Sequence, residues 1–265
     1  MGLDPYLLGL LVLALFAVAA TTVFWLVSRR RPVFRKQLPR MYELSDLIPT
    51  PAPPGAYFRN LDQSLADIPQ KLKQYRDIER DLQGLDPAAW AFLKEELAPL
   101  LVAKDRKRGW QPLFDKLNQA KAFNYLKNAG YLNIRFVPPS GVKGQQTPDL
   151  QADGALCEVK TVNISEIEAD RRASGGVGTS TNRLNEKFFG KLSSDLQTAK
   201  AQMVAFNTGS NTKYIAYVIV NFDDNLHEYA DRYQVQIDQY IAGDPVAGLE
   251  VVVFDIKPPF YTATL

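Results

Sequence analysis

Apolar residues recur along this chain at several spacings, and each spacing predicts an element. Residues 6–27 form one apolar run of 22 residues without a charge, about 33 Å long as a helix and sufficient to cross a bilayer. Leu61, Leu65, Ile68, Leu72, Tyr75, Ile78 and Leu82 follow at helical spacing, interrupted by Pro69. Asp86-Pro87 reads as an N-cap and first-turn proline, and Trp90, Leu93, Leu97 and Leu101 give the next helix its apolar face. Trp110, Leu113, Phe114, Leu117 and Ala120 mark a further helix, with Asn128-Ala129-Gly130 as its stop. Residues 131–137 alternate as a strand ended by Pro138-Pro139.

The period then falls to two. Residues 149–152 and 155–160 are short alternating stretches around Asp153-Gly154, a dipeptide that favours a two-residue hairpin turn. With those two residues in the loop, Ala152 faces Ala155, Leu150 faces Cys157 and Asp149 faces Glu158. Leu184, Phe188, Leu192, Leu196, Ala199 and Met203 mark one face of a long helix. Residues 214–220 are a nearly continuous apolar run, the pattern of a strand buried on both faces. A helix around residues 225–242 and a strand over 249–256 would extend the sheet.

The hairpin register carries the candidate chemistry. Alternation puts Lys160 on the face of Glu158 and turns Cys157 and Val159 to the other. Carboxylates directly opposite one another lie roughly 4.5–5.5 Å apart at Cβ and repel unless compensated. A divalent cation compensates them, and hard oxygen ligands suit Mg²⁺. Lys160 then places a second cation beside an attacking water or a phosphoryl oxygen.

Pro148-Asp149, an eight-residue gap and Glu158-Val159-Lys160 together resemble the PD-(D/E)xK motif of the restriction-endonuclease-like nuclease superfamily. The resemblance implies an α/β fold, an αβββαβ core with a mixed sheet. It also implies Mg²⁺-dependent hydrolysis of phosphodiester bonds in DNA or RNA, with Mn²⁺ able to substitute. Asp149 and Glu158 would be the metal ligands, and Lys160 would assist the water. The helix over 191–202, following Glu-x-Lys-Thr and a loop, is similar to that of nuclease domains in bacterial contact-dependent inhibition toxins. One departure is that residues 108–129 contain no Glu, where many superfamily members carry an extra metal ligand; Asp115 is the only acid there.

Charge changes the picture. The formal net charge of +2 includes six cations within residues 29–40 and Asp4 before them, so residues 41–265 carry −3. That is not a generic nucleic-acid-binding surface, and phosphate contacts must be local. Arg171 and Arg172 lie near a Gly/Ser-rich loop, and Arg183, Lys187 and Lys191 recur every four residues. Such a stripe is either a solvated helix face or a phosphate contact following the Glu-x-Lys motif.

The cations after residue 27 predict, by the positive-inside rule, a single-pass anchor with everything beyond it cytoplasmic. A cleaved signal peptide is the competing reading, disfavoured by the length of the apolar run and the lack of a basic stretch before it. One cysteine, Cys157, excludes an internal disulfide and a thiolate zinc site. One histidine, His227, excludes two-histidine ribonuclease chemistry, and no GxGxxG or Walker-type loop occurs. The expected organisation is an anchor over 1–28, a basic and Pro-rich linker over 29–58 that is extended over 47–55, a helical region over 59–103 and a nuclease-like domain over 104–265. The expected function is a membrane-anchored Mg²⁺-dependent nuclease; the alternative is an inactive nuclease-fold scaffold within a membrane complex.

Overall fold

A computed structural model describes residues 34–106, 109–142, 144, 146–162, 182–207, 209, 213–221, 229–243 and 245–256. Its centre is a five-stranded mixed sheet in the order β1 (Arg135–Phe136), β2 (Leu150–Ala152), β3 (Ala155–Val162), β4 (Lys213–Asn221) and β5 (Glu250–Ile256). Strand β2 pairs antiparallel with both β1 and β3, and β3, β4 and β5 are mutually parallel. The parallel pairs need crossovers. Helix α6 (Glu186–Phe206) lies between β3 and β4, and α7 (Ala230–Ala242) between β4 and β5. Before the sheet come α1 (Pro39–Ser45), α2 (Leu61–Asp67), α3 (Pro69–Gln83), α4 (Pro87–Leu97), a 3₁₀ turn (Ala98–Leu101) and α5 (Gln111–Asn128). The predicted α/β class and the helix, three strands, helix, strand order are present, with the added helix and strand at the end.

Each face of the sheet carries its own apolar layer. On one, Leu150, Cys157, Ile215, Tyr217 and Ile219 pack with α5 and the helices before it. On the other, Leu156, Val162, Ala216, Val218 and Val220 pack with Leu192, Leu196, Ala199 and Met203 of α6 and with Tyr233 and Ile237 of α7. Strand β4 is therefore buried on both sides, as its continuous apolar run requires.

Two expectations are corrected. The stretch expected to be a linker contributes to the core from residue 34 onward: Leu38, Met41 and Leu44 are fully buried, and Tyr57 packs edge-on against Phe58, Trp110 and Phe114. Its prolines and arginines conceal an apolar pattern that α3 covers. Glu79 of α3 accepts hydrogen bonds from the backbone N–H groups of Arg40 and Met41, capping α1 from outside, because Leu38 at its N-cap has no side-chain acceptor. Arg40 donates to the carbonyls of Leu82 and Leu85 at the end of α3, and Arg35 forms two bonds to Asp46. These two cations, expected to flank a membrane, have structural partners.

The second correction concerns the strand over 131–137, which is reduced to Arg135–Phe136. Asn133 takes a left-handed conformation at φ 53°, and its side chain donates to Asp153. Backbone curled this way cannot continue a ladder. The helix interrupted at Pro69 and the Asp86 cap, which accepts from the Ala89 N–H, are as expected. Among the described residues no helix is long and apolar enough to cross a membrane; the anchor expected over 6–27 lies outside them.

Candidate active site

The site is built where β2 leaves β3. The predicted register holds through Ala152–Ala155, Gln151–Leu156 and Leu150–Cys157, turned by Gly154 at φ 73°. It stops there. Asp149 is not a ladder partner of Glu158; its carboxylate replaces a strand carbonyl and accepts the Val159 backbone N–H at 2.8 Å. The other Asp149 oxygen accepts from the Gln119 side chain on α5 at 2.5 Å. Asp149 is thus wedged into the seam between the strands, oriented from both sides.

Glu158 and Lys160 share the face of Leu156 and Val162, toward α6, while Cys157 turns to α5. The Lys160 ammonium lies 2.6 Å from one Glu158 oxygen and 3.4 Å from the Gln202 side-chain oxygen on α6. The Gln202 amide in turn donates to the Thr147 carbonyl at 2.9 Å, linking α6 to the segment before Asp149. The second Glu158 oxygen is buried with no hydrogen-bond partner.

An orphaned carboxylate oxygen beside another buried acid is costly. Burial foremost, then the Asp149 charge, pushes the Glu158 carboxyl up to about 7 against the pull of Lys160. Burial raises Asp149 as well, against the Val159 N–H and the charges of Lys116 and Lys160. The described residues hold no cluster of three or more His, Cys, Asp or Glu. Two carboxylates nevertheless match the protein share of a Mg²⁺ shell, which leaves its other positions to water and substrate oxygen. The unpartnered Glu158 oxygen is a donor that such an ion would satisfy.

A cleft of about 380 Å³ opens at Asp149 and Lys160, lined also by Phe92, Lys116, Gln119 and Gln202 among others; Glu158 is buried and is not among the lining residues. Gln119, Gln202 and Lys116 were not singled out in the sequence. Local pattern offered little signal: Lys116 and Gln119 stand on α5 among other polar residues such as Asp115, Asn118, Lys121 and Asn124, and Gln202 is set apart only by adjoining the buried Met203 on α6.

Those predicted phosphate contacts that fall among the described residues are not brought to the cleft. Arg171 and Arg172 lie outside the described residues. Arg183 is not on the helix, because Asn185 caps α6 by accepting the Phe188 N–H, which ends the supposed stripe of three. Lys187 is exposed, and Lys191 pairs with Asp195 at 2.7 Å. None of these three lines the cleft. The reason is helical rise: Lys191 precedes Gln202 by eleven residues, roughly 16 Å along the axis. Asp115 is not among the cleft-lining residues either, so no acid of α5 joins the pair. Comparison with known proteins finds no matching family model, no matching curated protein and no matching solved structure.

Proposed function

We propose that the protein is a metal-dependent phosphodiesterase acting on nucleic acid, with Asp149 and Glu158 holding Mg²⁺ or Mn²⁺ and Lys160 acting at the reacting phosphate. The observation that supports it best is that Asp149 and Lys160 line one polar cleft while the buried Glu158, paired with Lys160 at 2.6 Å and raised by the Asp149 charge, keeps one oxygen unpartnered. When bound, the metal supplies Lewis-acid stabilisation of charge developing on the phosphoryl group. The chain does the rest. Gln119 and the Val159 N–H fix the Asp149 carboxylate, and Glu158 has one buried oxygen left for the ion. Lys160, steadied by Gln202, offers a cation to the attacking water or to a phosphoryl oxygen.

In the same reading, residues 6–27 anchor the chain in the cell membrane with the folded part cytoplasmic, restricting it to nucleic acid that reaches the inner surface. Labelling of engineered cysteines in intact cells tests that placement. Cys157 is buried and will not compete, and labelling from outside at positions beyond residue 33 would reverse the topology.

Catalysis is tested with plasmid DNA, single-stranded DNA and tRNA, each incubated with Mg²⁺, Mn²⁺ or EDTA. Wild-type protein should cleave at least one of them with metal only. Lys160→Ala should lose about 10²–10³-fold in rate while keeping its melting temperature and its stabilisation by Mg²⁺. If the wild type shows neither cleavage nor stabilisation by metal, the scaffold reading replaces this one.

A further inference from the structure

Part of the cleft lining comes from α4 and α5, through Phe92, Lys116 and Gln119. Phe92 stands half-buried there, with one ring face against Phe136 at a centroid distance of 5.6 Å and an interplanar angle of 12°. Phe136 is in turn backed by Phe123 at 5.7 Å. A ring braced from behind and exposed at a polar cleft is a platform for one flat group. Lys116, held by Glu96 at 3.3 Å, lies in the same lining, and its charge reaches Asp149.

We infer that this cleft takes a single unpaired nucleotide, stacking its base on Phe92 and its phosphate between Lys116 and Lys160, so that the preferred ligand is single-stranded nucleic acid or an unpaired strand end. The inference rests on the proposed phosphodiesterase reading for the role of Lys160, but binding can be measured without cleavage.

Three observations carry it. The cleft, at about 380 Å³, is in the range of pockets that enclose one small ligand rather than a duplex groove. Among the described residues Phe92 is the aromatic side chain lining it, and a base within a duplex has no free face to offer such a ring. Residues 41–265 carry a net negative charge, which disfavours general attraction to a phosphate backbone and favours local attachment. Glutamines 119 and 202 add side-chain donors and acceptors that suit base edges or sugar hydroxyls.

Binding of the full-length chain to a short oligonucleotide containing 2-aminopurine, in EDTA, tests the idea. The single strand should bind at least about tenfold more tightly than the same sequence as a duplex, with its fluorescence quenched by stacking. Phe92→Ala should weaken single-strand binding by roughly ten- to a hundredfold and abolish the quenching, and Phe92→Trp should restore both. Lys116→Gln should weaken binding and flatten its dependence on salt. Melting temperatures show whether each variant is folded, and Phe92→Leu, which keeps the apolar packing without a ring, serves if Phe92→Ala is not. Equal affinity for single strand and duplex, or wild-type binding by Phe92→Leu, overturns the inference. Single-strand binding and quenching without any metal-dependent cleavage would leave it standing and remove the phosphodiesterase reading instead.

Discussion

At the scale of single residues, Glu158 decides the behaviour of the metal-free protein. Its carboxyl is raised from the ordinary 4.5 of a glutamic acid to about 7 by burial and by Asp149. Between those two values the folded state therefore binds more protons than the unfolded chain, and stability contributed by this group falls as pH rises through the window. Asp149 is shifted in the same direction and adds to the effect. Glu158→Gln removes the repulsion while keeping an oxygen to accept from Lys160. The urea midpoint of the metal-free variant should exceed that of wild type at pH 8, and the difference should shrink at pH 5. With Mg²⁺ the order should reverse, since only wild type presents both carboxylates. A variant whose stability tracks wild type at both pH values would mean that the two acids do not strain the fold.

Gln119 acts through Asp149. Gln119→Leu should leave the fold intact, raise the metal concentration needed for half-maximal stabilisation and leave Lys160 untouched. Gln119→Glu would instead place at the cleft an acid that Asp115 does not supply. An unchanged metal titration in Gln119→Leu would show that the Val159 N–H alone orients Asp149.

Among elements, α1 depends most on its neighbours. Seven residues cannot sustain a helix in water, and α1 forms because α3 supplies its cap through Glu79 and covers its apolar face. Glu79→Ala leaves two backbone N–H groups of α1 without an acceptor and frees the Gln83 amide, at a cost of about 2–4 kcal/mol. Chemical denaturation should resolve this, with Glu79→Gln losing less. A loss below about 0.5 kcal/mol would indicate that water replaces the cap at no cost.

For the whole molecule, the consequence is that residues 34–58 belong to the same cooperative unit as the sheet. Tyr57 is wedged among Phe58, Trp110 and Phe114, and its hydroxyl is bonded by that of Tyr75 at 2.6 Å. A chain beginning at residue 59 would expose the core surfaces that Leu38, Met41, Leu44 and Tyr57 cover. It should lack the cooperative thermal transition of the full-length chain; a sharp transition in the shortened chain would restore the picture of a dispensable linker.

Short-range patterns were legible without coordinates. The Asp153-Gly154 turn sets the pairing from Ala152–Ala155 to Leu150–Cys157, because a two-residue loop leaves one register and alternation then assigns every face. Asp86 as a cap, Pro69 as a break and the α6 face from Leu192 to Met203 follow equally from local chemistry. What the tertiary structure alone decided depends on groups far apart in the chain. Asp149 leaves the ladder because Val159 and Gln119 offer its carboxylate hydrogen bonds. The cations around α6 miss the cleft because Asn185 starts the helix after Arg183 and its rise carries Lys191 away from Gln202. Residues 34–58 are core because Glu79, more than thirty positions later, caps α1. No local pattern encodes such a partner: a side chain's own sequence specifies the bonds it can make, and only the folded chain brings the group that makes them.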